Sequence, residues 1–438
     1  MTPVELTIEK LVYGGEGLAR LASDRESRAK TVFVPYVLPG EKVEAAITEE
    51  RPGFARAELR KVLQPSPKRT AAPCPYFGEC GGCHYQHISY DEQLRLKTEI
   101  LRETLRRNAK LDLELEIQTH ASPAFGYRNR TRFHLQVKPD FTIGYFKHGS
   151  HELLSVRECP ISSRLINRAL GQIWKLGELG QVPEQVGEIE TFADANDERL
   201  IAELYLLPGR VNDEELRKFA SALAAGVPEI HGIASFARVD SRSHTAEMPK
   251  ACPLHGDASI AYEAAGEIYR VSAGAFFQTN RFLLPSMIEL AMGERKGRIA
   301  LDLYSGVGLF AVPLARRFER VIAVESSPVA VADLRANIPE NVKVSSQTAE
   351  AYLSSVAGTL KPDLIVLDPP RAGLSEEVTA QVSRLAPGEI VYVSCDPATL
   401  ARDLKQFTSG GWKIAEMHLI DFFPQTFHIE TCTVLRRN

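Results

Sequence analysis

The sequence contains no apolar run long enough to span a membrane, and its N-terminus, MTPVELTIEK, lacks the basic region and apolar stretch of a secretory signal. We therefore expect a cytoplasmic protein. Cysteine is sparse, with seven residues among 438, and a reducing compartment favours ligands, nucleophiles or core residues over disulfides. The chain also has no excess of positive charge, since its net charge is −4. This argues against a uniformly basic nucleic-acid binder.

The charge is nevertheless unevenly distributed along the chain. Residues 51 to 138 carry 16 Lys and Arg against 9 Asp and Glu, a local balance of +7. Such a region suits selective binding of a polyanion, although a solvated basic surface explains the same charge equally well. The segment YRNRTR places Arg128, Arg130 and Arg132 on one face of a predicted strand, and we predict that this face contacts a nucleic-acid backbone, the alternative being a solvated strand face.

Length and composition predict a soluble multidomain α/β protein. Residues 1–66 contain short strand patterns separated by glycine turns, which predicts a small β-barrel. A proline-rich linker then opens residues 67–265, which we predict to be a β-rich central domain. Within it, SYDEQLRLKTEILRETLRR predicts a helix over 89–108 with a capping box of Ser89 and Glu92. Residues 266–438 form the third predicted domain.

The third domain has the pattern of a nucleotide-binding fold. Its apolar runs, IALDLY, RVIAVE, DLIVLD and EIVYVS, alternate with helical segments, as in a parallel sheet buried on both faces. Gly306 and Gly308 follow the first run, and Glu325 ends the second at a spacing suited to ribose hydroxyls. The full G-x-G-x-x-G pattern is lacking, which favours S-adenosylmethionine over NAD. Asp368 and Cys395 end two further strands, so we expect them in the same crevice.

Three cysteines crowd into the segment CPYFGECGGCHYQH. Cys74, Cys80 and Cys83 have C-x5-C-x2-C spacing, a density that predicts a metal site. Zinc would usually show two C-x2-C pairs, and only one is present. The fourth ligand must come from Cys159 or Cys252, each of which precedes a proline as the last ligand of iron–sulfur sites often does. The spacing does not choose between them.

Five motifs in order, CPYFGECGGCHYQH, LDLYSGVGLFAVPLA, LDPPRAG, SCDPATLARDL and DFFPQTFHIE, together resemble the RNA uracil-5-methyltransferases with an N-terminal TRAM domain and an iron–sulfur cluster. The resemblance covers essentially the whole chain. It implies a TRAM/OB-like barrel and a Rossmann-like class I methyltransferase domain on which helix 89–108 packs. It implies a [4Fe-4S] cluster on Cys74, Cys80, Cys83 and Cys159, with Cys252 left out. It also implies S-adenosylmethionine contacts from Gln278, Tyr304, Glu325 and Asp368, whereas Thr348 replaces a family asparagine and is not included.

The resemblance also defines the chemistry that we expect. Carbon 5 of uracil is a poor nucleophile, and thiolate addition to carbon 6 converts the ring into an enolate that can attack a methyl group. We predict that Cys395 is this nucleophile and that Glu430 is the base that removes the carbon 5 proton, with His428 on the same side of the strand. Phe276 and Phe277 are candidates for stacking on an extruded base, although adjacent phenylalanines are more typical of a core.

The expected substrate is 23S ribosomal RNA, because similar bacterial enzymes that methylate transfer RNA typically lack both the TRAM-like module and the cysteine cluster. Transfer RNA is the alternative substrate. Two other functions fit the residues: an amino-methyltransferase that uses DPPR to bind an exocyclic nitrogen, and an RNA-binding or RNA-folding module with dispensable chemistry. We expect a monomer that binds RNA and no membrane.

Overall fold

The computed structural model describes residues 3–21, 30–209, 211–237, 250–356 and 358–437. Its N-terminal part is a closed five-stranded barrel in the order β1-β2-β3-β5-β4, as predicted. Inward-facing side chains such as Val32 and Val34 are fully buried, and a Cβ on Gly17 would collide with Val37. The barrel strands are β1 (Pro3–Leu11), β2 (Glu16–Leu21), β3 (Lys30–Pro35), β4 (Lys42–Arg51) and β5 (Phe54–Gln64).

A helix, α1 (Tyr90–Thr104), follows the cysteine-rich segment and continues into one π-helical turn, Leu105–Ala109. The helix begins where the sequence predicts, but the predicted capping box is wrong. The side chain of Ser89 makes no capping hydrogen bond, and Glu92 instead accepts a 2.9 Å hydrogen bond from Arg95, one turn later. The start of α1 is therefore stabilised by a side-chain pair on the helix surface and not by a reciprocal cap.

The central part is one seven-stranded sheet in the order β13-β12-β11-β10-β7-β8-β9. Two helices pack on this sheet around the buried side chains of Trp174 and Phe219. The sequence patterns predicted a β-rich central domain and did not predict these two helices. The elements in chain order are β6 (Gln118–His120), β7 (Arg130–Gln136), β8 (Thr142–Phe146), β9 (Leu153–Ser155), α2 (Arg164–Glu178), β10 (Val186–Ala193), β11 (Leu200–Leu206), α3 (Asp213–Gly226), β12 (Ile230–Ala237) and β13 (Cys252–Gly256).

The C-terminal part begins with a hairpin of two antiparallel strands. The domain boundary that we predicted after residue 265 falls in the turn of this hairpin, and it stays a prediction. None of the described helices is long and apolar enough to cross a membrane. The elements are β14 (Ser259–Ala264), β15 (Glu267–Ser272), α4 (Leu284–Met292), β16 (Gly297–Leu303), α5 (Ala311–Leu314), β17 (Phe318–Glu325), α6 (Pro328–Asn337), β18 (Val342–Ser346), α7 (Ala349–Ser355), β19 (Leu364–Leu367), α8 (Glu376–Leu385), β20 (Glu389–Ser394), α9 (Pro397–Ser409), β21 (Trp412–Ile420) and β22 (Glu430–Arg437).

An eight-stranded sheet in the order β18-β17-β16-β19-β20-β22-β21-β6 forms the core of this part. Strands β16 to β20 are parallel, and β22 runs antiparallel to both its neighbours. Ile365 and Val366 are fully buried because apolar clusters cover both faces, as their continuous apolar run predicts. The strand order reverses between β16 and β19, which is where open α/β sheets bind ligands.

Helix α1 packs against α9, and β6 pairs with β21 at the edge of the same sheet. A fully buried ion pair adds to this contact, because Lys97 Nζ lies 2.6 Å from Asp421 Oδ1 and also donates to the carbonyl of Phe423 at 3.0 Å. Buried charges are tolerated when they are paired in this way. The pair joins α1 to the segment that leads into β22.

Candidate active site

A cavity of about 730 Å³ lies where the parallel strands end, next to the reversal of strand order. Its size is in the range of sites for small organic ligands. All six residues predicted for cofactor binding and catalysis line this one cavity: Gln278, Tyr304, Glu325, Asp368, Cys395 and Glu430. The structure therefore brings together side chains from four strand ends, one loop and the start of β22.

The turn after β16 exposes backbone to the cavity. Tyr304, Gly306 and Gly308 all have positive φ, at 64°, 54° and 101°. The φ of Gly308 is one that L side chains rarely adopt, so this position favours glycine, and a Cβ there would also lie 2.9 Å from the end of the Leu334 side chain. Tyr304 is in a region that non-glycine residues seldom adopt, and such local strain is common at binding sites.

Glu325 is held at the cavity wall by backbone donors. Its Oε2 accepts a 2.9 Å hydrogen bond from the amide of Gly306, and its Oε1 accepts from the amides of Ser326 and Ser327 at 2.8 and 2.7 Å. The carboxylate therefore links the glycine turn to the loop before α6. A fixed carboxylate at the end of the second strand is suited to binding ribose hydroxyls.

Gln278 and Asp368 meet across the cavity. The side-chain amide of Gln278 donates to Asp368 Oδ2 at 3.5 Å. Burial raises the pKa of Asp368 to about 7, so this carboxyl can donate as well as accept a hydrogen bond near neutral pH. Thr348 also lines the cavity, but its hydroxyl accepts from the amide of Ala351 and caps α7.

Cys395 and Glu430 come from neighbouring antiparallel strands. Ser394 at the end of β20 pairs with Thr431 on β22, so Cys395 and Glu430 occupy the next position across the two strands. The thiol is half-buried and the carboxyl is 4% exposed. His428 lines the same cavity, and burial lowers its pKa to about 3, which keeps the ring neutral.

The electrostatics of this pair favour the protonated forms. Burial raises the pKa of the Cys395 thiol to about 12, and Glu430 and Asp368 raise it as well, whereas Arg371 lowers it. Burial also raises the pKa of Glu430 well above its ordinary value, and Arg371 again acts in the opposite direction. Arg371 enters the sequence prediction only as part of the DPPR motif, three residues after Asp368 at the same strand end.

The two candidate stacking residues have different environments. Phe276 is 69% exposed and lines the cavity, whereas Phe277 is 2% exposed. The ring of Phe277 packs against Tyr262 with their centroids 4.7 Å apart. Phe277 also lines the cavity but is packed as a core residue, whereas Phe276 presents most of its surface.

The structure corrects the prediction that Arg128, Arg130 and Arg132 form an exposed basic face. Arg130 is buried, and its guanidinium pairs with Glu190 on the neighbouring strand β10 and with Glu203 on the next strand, β11. Arg132 is half-exposed and pairs with Glu190 at 2.6 Å. Because carboxylates neutralise both arginines, β7 does not present the uncompensated charge that phosphate binding needs.

A second cavity of about 70 Å³ lies between the cysteine-rich segment and the central sheet. Four cysteines line it: Cys74, Cys80, Cys83 and Cys159. Cys252 is exposed on β13 and does not line this cavity. Cys159, and not Cys252, therefore lies beside the three cysteines of the segment, and the ligand set that the resemblance implies stays a prediction.

Two buried donors beside these thiols, Arg128 Nε and Gln86 Nε2, have no hydrogen-bond partner within the part of the chain that the structure describes. Burial raises the pKa of Cys83 to about 12 and that of Cys80 to about 11. Among the described residues, no three His, Cys, Asp or Glu side chains are arranged to hold a metal ion. Four cysteine thiols nevertheless line one small cavity, which is the donor set that an iron–sulfur cluster would need.

Two family models match the chain. The model described as tRNA (uracil-5-)-methyltransferase matches residues 89–438, and the TRAM domain model matches residues 2–59. An uncharacterized RNA methyltransferase of Aquifex aeolicus is 35% identical over 99% of this chain and 98% of its own length. The 23S rRNA (uracil(1939)-C(5))-methyltransferase RlmD of Pectobacterium atrosepticum is 33% identical over 97% of this chain and 92% of its own length.

The fold also matches a solved structure, the tRNA (uracil-54, C5)-methyltransferase of Pyrococcus abyssi in complex with S-adenosyl-L-homocysteine. The TM-score is 0.75 with 24% identity, over 99% of this chain and 100% of that chain. The two family models and the Pectobacterium relative confirm the predicted resemblance to RNA uracil-5-methyltransferases with an N-terminal TRAM domain. The chain belongs to the tRNA (uracil-5-)-methyltransferase family and is an S-adenosylmethionine-dependent RNA (uracil-5-)-methyltransferase with an N-terminal TRAM domain.

Proposed function

We propose that Cys395 attacks carbon 6 of the target uridine as a thiolate. The observation that carries this proposal is the adjacency of Cys395 and Glu430 in the cavity that also contains Glu325 and the glycine turn. Addition forms the sulfur–carbon 6 bond and moves the carbon 5–carbon 6 π electrons into an enolate. Carbon 5 then bonds to the methyl carbon of S-adenosylmethionine, whose sulfonium bond breaks to leave S-adenosylhomocysteine.

Glu430 completes the reaction in this proposal. After methyl transfer, carbon 5 carries both the new methyl group and its original proton. The Glu430 carboxylate accepts that proton, the double bond forms again, and the Cys395 thiolate leaves carbon 6. A carboxyl with a raised pKa is a stronger base than an exposed one, although a smaller fraction of it is ionised at neutral pH.

We predict that single-turnover methyl transfer accelerates between pH 6 and pH 9. Cys395 and Glu430 both have raised pKa values, and the reaction uses their ionised forms, which increase as pH rises. Below the thiol pKa, each pH unit raises the thiolate fraction about tenfold.

Glu430→Gln should still form the adduct but should lose product release by about 10²–10⁴-fold. A rate that falls with pH, or a fully active Glu430→Gln, would contradict these roles.

We propose that Gln278, Tyr304, Glu325 and Asp368 contact S-adenosylmethionine. Glu325→Gln should weaken binding of S-adenosylhomocysteine by about 10- to 100-fold, since it removes charge-assisted hydrogen bonds. Isothermal titration calorimetry measures the change. Glu319→Gln is the matched control, because Glu319 is an exposed residue of the same strand. Equal affinity of Glu325→Gln and wild type would remove Glu325 from the site.

We infer that the substrate is 23S ribosomal RNA. The similarity to the Pectobacterium enzyme over both chains supports this, together with the TRAM domain. Phe276, exposed at the cavity, would stack on the extruded uridine. The family description makes transfer RNA the alternative. Labelled S-adenosylmethionine with separate pools of unmodified ribosomal and transfer RNA tests the choice: 5-methyluridine in 23S rRNA supports it, and label only in transfer RNA overturns it.

We propose that Cys74, Cys80, Cys83 and Cys159 hold a [4Fe-4S] cluster. Methyl transfer moves no net electrons, so the cluster would supply a rigid cross-link and no redox step. The amides of His84 and Tyr85 donate to the carbonyl of Gln425 at 2.8 and 2.9 Å. Because residue 425 lies just before β22, the cross-linked segment would support the strand that carries Glu430.

We also propose three structural units: residues 1–66, residues 67–265, and residues 266–438 with helix 89–108 packed on the last. The barrel and the central sheet each have an apolar core of their own, which supports the first two units.

A further inference from the structure

The turn between β1 and β2 of the TRAM barrel lies against the loop that carries the catalytic thiol. The hydroxyl of Tyr13 in this turn donates a 3.0 Å hydrogen bond to Asp396 Oδ2. Asp396 is the residue directly after Cys395. A barrel side chain therefore contacts the neighbour of the nucleophile, 383 positions away in the sequence.

Asp396 uses both of its carboxylate oxygens. Its Oδ1 accepts hydrogen bonds from the amides of Ala398 and Thr399, both at 2.9 Å, and so caps α9. Its Oδ2 accepts the hydrogen bond from Tyr13, and its own backbone amide donates a 3.4 Å hydrogen bond to the Ser394 hydroxyl oxygen. Cys395 lies between Ser394 and Asp396, so the orientation of Asp396 limits where the thiol can point.

The rest of the turn fits closely against the same loop. The ring of Tyr13 meets Phe427 edge to face, with centroids 5.5 Å apart, and Phe427 packs on His428 beside the cavity. Gly15 has a φ of 91°, and a Cβ there would lie 3.2 Å from the ring of His84. Leu11 at the end of β1 is buried in the apolar cluster that also contains residues of α9. The Tyr13 contact is therefore part of a packed interface.

We propose that Tyr13 is a positioning residue for the Cys395 nucleophile and acts through Asp396. This inference rests on the proposed role of Cys395. It gives the TRAM barrel a role in catalysis, because the barrel completes the support of the catalytic loop. Burial and the Asp396 carboxylate raise the pKa of Tyr13 well above its ordinary value, so its hydroxyl stays a donor throughout the working pH range.

Tyr13→Phe tests the proposal, since it removes the hydroxyl and keeps the ring against Phe427. We expect kcat and the rate of adduct formation with RNA containing 5-fluorouridine to fall roughly tenfold, the effect of one hydrogen bond to a charged group. The KM values for RNA and S-adenosylmethionine and the melting temperature should not change. Thr48→Val is the control, because it removes a hydroxyl hydrogen bond on the exposed side of the same barrel.

A double-mutant cycle with Asp396→Ala separates positioning from other effects. If Tyr13 acts through Asp396, Tyr13→Phe should have no further effect on kcat in the Asp396→Ala background. An unchanged kcat in Tyr13→Phe, an equal loss in both backgrounds, or a change confined to the KM for RNA would each overturn the proposal. Methylation by Cys395→Ala would instead refute the proposed chemistry, whatever Tyr13→Phe does.

Discussion

Cys395→Ala should lose methyl transfer by on the order of 10⁴-fold or more, the largest effect that we expect from any single substitution. Without the thiolate, carbon 5 of uracil has no negative charge with which to attack the sulfonium methyl. Binding of RNA and of S-adenosylhomocysteine should be preserved, since the thiol is a small part of a cavity of about 730 Å³. Single-turnover transfer from labelled S-adenosylmethionine measures the rate, and separate titrations measure both affinities.

Cys432→Ala is the matched control for this experiment. Cys432 pairs with Val393 on the same two strands, but it is fully buried in the core and does not line the cavity. Its removal should lower stability slightly and leave the rate of methyl transfer close to wild type. A Cys395→Ala enzyme as active as Cys432→Ala would show that methylation does not require this thiol.

Cys83→Ala should have the largest effect on stability. Cys83 is buried in the cavity of four cysteines, and if these hold the proposed cluster, loss of one ligand should remove about four iron atoms per chain together with the visible absorbance. The free energy of unfolding should fall by about 5 kcal/mol or more, on the scale of other structural metal sites. Iron analysis, absorbance and denaturant unfolding of anaerobically purified protein test this prediction.

The exposed Cys252 supplies the control for the cluster. Cys252→Ala should retain iron, absorbance and stability, because its thiol lies on the edge strand β13 and away from the cavity. Full iron content in Cys83→Ala, or equal loss in Cys252→Ala, would exclude the proposed ligand set. A Cys83→Ala protein that is iron-free but as stable as wild type would refute the structural role.

Local sequence patterns predicted the elements whose physical causes are local. Continuous apolar runs predicted the parallel strands, because both faces of that sheet are covered. Glycines after the first run predicted the turn at the cavity, where positive φ is required. Glu325, Asp368 and Cys395 each lie at the carboxyl end of a predicted parallel strand, which predicted that they line one cavity. The structure shows that they do.

The features that the sequence did not predict depend on distant partners. Arg130 has the spacing of an exposed basic residue, but Glu190 and Glu203 neutralise it from strands 60 and 73 positions away. The Tyr13 contact with Asp396 is likewise invisible in the sequence. A local cue did exist for Asp396, since an aspartate before a proline is typical of a helix start.

Trapping of the covalent intermediate tests the central claim most directly. The protein is incubated with S-adenosylmethionine and fragments of 23S rRNA or transfer RNA that contain 5-fluorouridine, and digested adducts are identified by mass spectrometry. Fluorine cannot leave as a cation, so the adduct persists. The account predicts a methylated fluorouridine attached to the peptide containing Cys395, formed on 23S rRNA. An adduct on another cysteine, or methylation with no adduct, would contradict it.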